Sequence, residues 1–380
     1  MKHLALCGLL LALATPALAT ENLSNVALQQ KLQATEARLA EIEARLAEAP
    51  PAAADRWTDN LLGHWSERIQ LSGLVEVEAG YERVELNEGG SDESSDLVLA
   101  TVELGVEVSL NDYLSGHVLL LWEEDETEPV DVDEAVISLN GGERLPLYVN
   151  AGKMYVPFGR FESHFVSDPL TLELGETNET AVELGFASAG FDLSLSLFNG
   201  DVDEIDENNH INSLVAKAVY SLPEDRIAGL ALSLGMSWIS NLADSDALEE
   251  EIAVDALDDK VDGFGAFVSL AVAERLFMEA EYLGALRSFA AGELAFDGGE
   301  ALRPETWNLE VGYQLRDDLQ MAVKYEGGKD LADFLPEEQY GAVVAYQLFE
   351  PLTLALEYLY GEFDNDDERD LVTAQLALEF

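Results

Sequence analysis

Cysteine is nearly absent from this chain of 380 residues, with Cys7 the sole example. One thiol forms no intrachain disulfide and no thiolate metal site, and its place in a leader-like segment leaves the folded body without a thiol nucleophile. Bases are scarce too. Lys and Arg number 20 against 75 Asp and Glu, a formal net charge of −55, and this excludes nucleic acid as a partner, because phosphate backbones are bound through clustered cations. Beyond the first residues the chain also lacks any uninterrupted run of 18 apolar residues, so no membrane-crossing helix is expected. What the chain does have is apolar content. At 48% hydrophobic residues it is far from a disordered acidic chain, and a sizeable folded body is expected.

Residues 1–19 read as a secretory signal peptide: Lys2 gives positive charge, Leu4 to Leu13 an apolar core, and Ala17-Leu18-Ala19 a small-residue cleavage site. The apolar run is about ten residues, short of the roughly 20 that a membrane anchor needs. From Leu28, the positions Leu28, Leu32, Leu39, Ile42 and Leu46 follow heptad spacing, with Thr35 the polar interruption. A periplasmic coiled-coil helix is therefore expected over 20–50, either a trimerisation stalk or tether, or a lone amphipathic helix against the barrel rim. Pro50 and Pro51 end it, and 51–68 reads as a linker.

The body alternates with a period of two. Val98, Ala100, Val102, Leu104, Val106, Val108 and Leu110 share one face of a strand, with Thr101, Glu103, Gly105, Glu107 and Ser109 on the other. The same pattern recurs at 227–240, 305–315, 352–361 and 371–380, the last closing on Phe380. Sixteen strands are predicted, near 69–81, 97–110, 113–123, 131–140, 146–156, 178–187, 190–199, 211–221, 227–240, 261–272, 275–287, 305–315, 319–326, 337–348, 352–362 and 370–380. Short turns and longer acidic or Gly-rich loops alternate between them. Clean alternation, two classes of connection and a closing aromatic together describe an all-β transmembrane barrel of about 16 antiparallel strands over 69–380. A barrel of that size normally encloses water. A secreted β-sandwich also alternates, but gives no reason for the regular sequence of short and long connections.

The segment GKMYVPFGRFESHFVSDPLTLELGET, residues 152–177, resembles the most characteristic stretch of the LbtU family siderophore porins, and LSGLVEVEAGY at 71–81 is similar to that family's first strand. The resemblance implies an outer-membrane barrel without a plug, passing a ferric siderophore without energy coupling. Residues 157–177 read as the longest internally patterned loop, with Pro157 breaking a strand and Gly159 permitting a bend. The loop either folds inward, bringing Lys153, Arg160, Glu162, His164, Asp168 and Glu173 to a pore constriction, or packs outside on the rim.

Strand period places Glu76, Glu78, Glu103, Glu107, Glu183, Glu279, Glu281, Glu310 and Glu357 in the lumen, with Lys217 and Lys324 among the few opposing bases. Rings of carboxylates favour cations, so a cation-preferring pore is expected. An anionic siderophore would then need Lys153 and Arg160 as a local basic ladder. The acid clusters at 201–207, 244–259 and 364–370 either hold Ca²⁺ or bridge lipopolysaccharide, or are solvated loop acid; Ile205 and a missing glycine break the EF-hand pattern. No enzyme, cofactor or metal site is expected: Ser115 and His117 share a face without a nucleophile elbow. The expected partners are outer-membrane lipid and lipopolysaccharide, small solutes including a ferric siderophore, and two further copies in a homotrimer. Two other readings stand beside this one, a general cation-preferring porin and a structural or adhesive envelope protein without an open pore.

Overall fold

A computed structural model of the protein describes residues 68–124, 129–142, 145–205, 210–223 and 225–380. The expected signal peptide, the expected helix and all but the last residue of the expected linker lie outside the described residues. Sixteen strands form one closed antiparallel barrel in which each pairs with its neighbours in sequence and the first pairs with the last. The first quarter is β1 (Ile69–Glu85), β2 (Ser91–Asn111), β3 (Leu114–Trp122) and β4 (Asp131–Asn140). Next come β5 (Leu147–Tyr155), β6 (Asn178–Ser188), β7 (Phe191–Phe198) and β8 (Ser213–Ser221). The wall continues through β9 (Leu230–Ile239), β10 (Gly263–Val272), β11 (Leu276–Ala285) and β12 (Glu305–Arg316). It closes with β13 (Leu319–Lys329), β14 (Glu338–Phe349), β15 (Leu352–Glu362) and β16 (Glu368–Glu379).

The barrel is turned inside out relative to a protein in water. Val182, Leu184, Leu195, Val323 and Leu356 point outward and are all at least half exposed, whereas the residues between them, such as Glu183, Ser194, Ser196, Lys324 and Glu357, point inward and are buried. Aromatic residues concentrate at the two edges of this apolar band. Trp307, Tyr325 and Tyr340 pack together near one edge, and Phe191 packs on Tyr220 near the other, with ring centroids 4.8 Å apart. Aromatic girdles of this kind belong where hydrocarbon meets water.

Three departures from the sequence pattern have a local reason. β1 and β2 run on through Glu82–Glu85 and Ser91–Asp96, pairing Glu82 with Ser94 and Glu85 with Ser91. Both faces are polar there, so alternation of apolar residues carries no signal. A register shift opposite Glu76 to Glu78 turns Val98 toward Glu78 and leaves Leu97 outward and 70% exposed. β9 starts at Leu230 because Gly229 has φ +73° and its carbonyl accepts the Ala273 amide across the turn.

The long loops share one edge of the barrel and build a second apolar core there. Phe158, Leu170 and Leu174 from the loop after β5 pack in one cluster with Val202, Leu242, Leu248, Leu257, Phe289, Leu294, Leu331 and Leu335 from later loops. Buried Asp244 fastens the cluster by accepting from Ser213 Oγ (2.7 Å), Asn241 Nδ2 (3.0 Å) and the Val202 amide (3.3 Å). Phe158 is only 1% exposed and Leu286 is 53% exposed. Truncating a buried phenylalanine costs about 3–5 kcal/mol, through lost transfer energy and the cavity left behind. Phe158→Ala is expected to lower the unfolding free energy by about that amount in denaturant titrations, whereas Leu286→Ala should stay within about 0.5 kcal/mol of the parent.

Candidate channel constriction

The segment between β5 and β6 folds into the barrel instead of over its rim. Pro157 ends the strand, and Gly159 then takes φ +85°. A Cβ at Gly159 would lie 2.2 Å from the Phe161 ring, so this bend requires glycine. Gly152, just upstream, has φ +145°, and a Cβ there would lie 1.9 Å from the Ala135 carbonyl oxygen. The loop continues into a short helix, α1 (Leu170–Gly175), before rejoining the wall.

An irregular segment crossing a lumen has backbone amides without strand partners, and here carboxylates of the far wall receive them. Glu281 on β11 accepts the Arg160 and Phe161 amides at 2.7 and 2.9 Å, and also the Thr171 hydroxyl. Glu310 on β12 accepts the His164 amide at 2.8 Å and Ser163 Oγ at 2.7 Å. Glu357 on β15 accepts the Val166 and Ser167 amides at 2.7 and 3.1 Å, and Ser167 Oγ at 2.6 Å. Glu326 on β13 accepts the Leu170 amide at 3.1 Å. All four acids are at most 8% exposed. Hydrogen bonds to charged groups contribute about 1.5–3 kcal/mol each, and breaking them leaves buried groups unsatisfied, so the loop is tied down along its length.

The bases are sequestered. Lys324 is buried, with Nζ 3.0 Å from Glu326 and 4.0 Å from Glu310, and lies 4.6 Å above the Phe165 ring. Lys217 bonds Asp192 at 3.0 Å and approaches Glu183 at 3.9 Å; Tyr148 and Asn150 donate to the same two acids. Arg160 pairs with Glu162 at 2.5 Å, reaches Ser233 at 3.2 Å and covers the Phe267 ring at 4.9 Å.

The positions expected at the constriction thus divide. Arg160, Glu162, His164, Asp168 and Glu173 all lie on the infolded loop. Lys153 does not join them, which corrects the basic ladder expected with Arg160. Asn150 faces Glu183 inside the barrel, so Lys153, an odd number of residues further along the strand, projects outward. Its Nζ donates to the Val132 carbonyl at 3.0 Å and pairs with Asp131 at 3.4 Å. His164 rests on the wall beside Phe277, with Nδ1 3.4 Å from Gln320 Nε2. Glu281, Glu310 and Glu357 point inward as period requires, yet they lie beneath the loop and do not line open water. Glu326 was not among the expected site residues. Its signal was available: it stands two residues after Lys324 on the same face, at the end of the predicted strand.

Lumen acids that the loop does not engage lie on β1 and β2. Glu76, Glu78 and Glu103 are half-buried there and Glu107 is exposed; Glu78 accepts from Gln375 at 2.9 Å. Glu76 and Glu103 overlook a recess of about 480 Å³ walled by small residues including Ser72, Gly105 and Thr353. Glu279 accepts from Ser269 at 2.9 Å. Asp168 on the loop is open to lumen water yet enclosed by protein. That enclosure holds its carboxyl above the usual range, Lys324 opposes the shift, and Glu123, Glu78 and Glu357 add to it. Acids therefore stand on both sides of the passage, and the bases nearest them are already paired. Elsewhere, His117 Nδ1 lies 3.3 Å from Glu134.

No family model matches the chain. A "UPF0422 protein" of Coxiella burnetii (strain RSA 493 / Nine Mile phase I) is 28% identical over 304 residues, covering 77% of this chain and 63% of that protein. The chain thus spans less than two thirds of the length of this relative. Among solved structures, the outer membrane channel DcaP of Acinetobacter baumannii superposes with TM-score 0.56 at 15% identity, covering 82% of this chain and 97% of that one. An anion-selective porin from Comamonas acidovorans gives TM-score 0.57 at 14% identity, covering 82% and 99%. At such identities the likeness is one of fold.

The end of the loop carries a titration near neutrality. Burial, with Asp246, Asp168 and Asp133 adding repulsion, pushes the Glu176 carboxyl up to about 8. Its backbone carbonyl accepts the Asp246 amide at 2.9 Å, so its charge is felt where the loop rejoins the wall. A raised carboxylate favours the folded state when protonated. That contribution is complete below the ordinary value of 4.5 and is lost as pH rises through about 8. Hydrogen exchange of residues 170–177 is expected to speed up between about pH 5 and about pH 8 beyond the intrinsic chemical rate, and Glu176→Gln should remove that excess.

Proposed function

We propose that this barrel is an outer-membrane porin through which small solutes diffuse, with a preference for cations. The observation that carries the reading is the passage itself: Asp168 on the infolded loop lies close enough to Glu76 and Glu78 on the wall for their charges to repel, while Lys153 points outward, Lys324 is buried, and Lys217 and Arg160 are paired. A low-dielectric wall strengthens the field of such carboxylates. In this reading the short turns face the periplasm, the long loops face outside, and residues 20–50 form a periplasmic helix that supports a homotrimer. The outward apolar band and its aromatic edges support the membrane placement, and an anchored loop inside the barrel favours a channel over a purely adhesive protein. The fold shared with outer-membrane channels is consistent with it.

A ferric-siderophore role in the manner of the LbtU family porins is the finer reading. The segment that carries the resemblance, 152–177, comprises the end of β5 and the infolded loop. With the basic ladder missing, an acidic passage suits ferric complexes that are neutral or positively charged. Reversal potentials across a planar bilayer under a potassium chloride gradient test both readings. The expected potential has the sign set by potassium, and Asp168→Asn combined with Glu103→Gln should move it toward zero; a potential set by chloride contradicts the proposal. In the same bilayers, neutral or cationic ferric complexes should interrupt the current and trianionic ones should not.

A further inference from the structure

The loop edge of the barrel carries a cleft that the channel reading does not use. It lies between the β11–β12 and β13–β14 loops, closed at one end by Asp364 of the β15–β16 loop, and has a volume of about 500 Å³. Its floor is apolar. Leu331 and Leu335 are buried members of the loop core and Leu302 packs against them, so the floor is fixed in place. One wall is the Phe296 ring, backed by Phe334 with centroids 5.2 Å apart and planes within 4°. A ring held this way keeps a constant orientation, and the negative face of an aromatic ring attracts a cation.

The rim has the complementary charge. Five carboxylates, Asp297, Glu300, Asp330, Glu337 and Asp364, border the cleft with a single ammonium, Lys329. Two of them already have partners that fix the walls. Asp297 accepts the Gly292, Gly299 and Leu294 amides at 2.5, 2.7 and 3.4 Å, and Asp330 accepts the Arg303 amide at 3.2 Å. Glu300, Glu337 and Asp364 are exposed at the opening. The wall also holds strain, since Asp330 and Ala332 both have positive φ, +56° and +47°, a conformation that residues with a Cβ rarely adopt.

We propose that this cleft binds an organic cation with a planar aromatic body. The body would lie on Leu302, Leu331 and Leu335 against the Phe296 ring, with its positive charge toward Glu337 and Asp364. An anion of the same shape is refused by the same rim. The site is independent of the channel reading, because neither the infolded loop nor its wall carboxylates border it.

Proflavine, a fluorescent planar monocation, is a suitable probe for the full chain in detergent micelles, followed by fluorescence anisotropy. Saturable binding is expected, displaced by tetraethylammonium and left undisturbed by 9-anthracenecarboxylate. Phe296→Ala should weaken it about tenfold or more, and Glu337→Gln with Asp364→Asn several-fold, all with the gel mobility of the folded barrel. The pair Asp112→Asn with Glu274→Gln removes the same charge from the short turns after β2 and β10, at the opposite edge of the barrel, and should leave binding unchanged. Loss of binding in that remote pair equal to the loss in the cleft pair would mean general attraction to an acidic protein and would overturn the proposal. So would non-saturable binding, or binding unaffected by Phe296→Ala in a folded barrel.

Discussion

Backbone amides of the infolded loop donating to buried carboxylates of the opposite wall are the interaction on which the interior of this barrel depends. A β-barrel satisfies its own backbone in the strands, but a segment crossing its lumen brings amides that the sheet cannot receive. Here the wall receives them through Glu281, Glu310, Glu326 and Glu357. Strand period makes this possible: an inward residue recurs every second position, so neighbouring strands can present a row of acceptors along the loop's path. The shape of the passage follows from that row, because it decides which half of the lumen the loop fills.

The same row explains how so acidic a chain folds around water. Its acids form separate populations with different partners. Some hold the loop and are buried; others, such as Glu183 and Asp192, are matched by Lys217; Glu76, Glu78 and Glu103 stand on β1 and β2; many of the rest sit in the loops. Burying several carboxylates near one lysine is costly unless their oxygens are filled by donors. The loop amides fill them. Loop and wall therefore need each other: without the acids the amides are orphaned, and without the loop the acids face one another.

Most of the strand frame was legible because alternation is imposed by the contrast between lipid-like and watery surroundings and repeats along every strand. It failed where that contrast ends, as in the polar top of the β1–β2 hairpin, and where a register shift turned Leu97 outward. The candidate site was legible in part. Pro157 and Gly159 marked an unusual loop, and period placed Glu281, Glu310 and Glu357 inside. Their task was hidden, since an inward glutamate that lines water and one that holds a loop read alike until the loop's path is known. Lys153 shows the opposite failure, in which proximity in sequence to the loop outweighed a parity that put it on the outer face. The cleft at the loop edge could not be read in advance, because Phe296, Leu331 and Asp364 come from three loops joined only by tertiary packing.

The central claim is that Asp168 borders the conducting passage near Glu76 and Glu78 of β1. It is tested most directly by placing a single thiol there, Asp168→Cys with Cys7→Ala, and adding a cationic methanethiosulfonate reagent during single-channel recording. The account predicts rapid modification, a stepwise fall in conductance and a weakened preference for cations. A thiol that reacts with the reagent in solution while the current stays unchanged would contradict it.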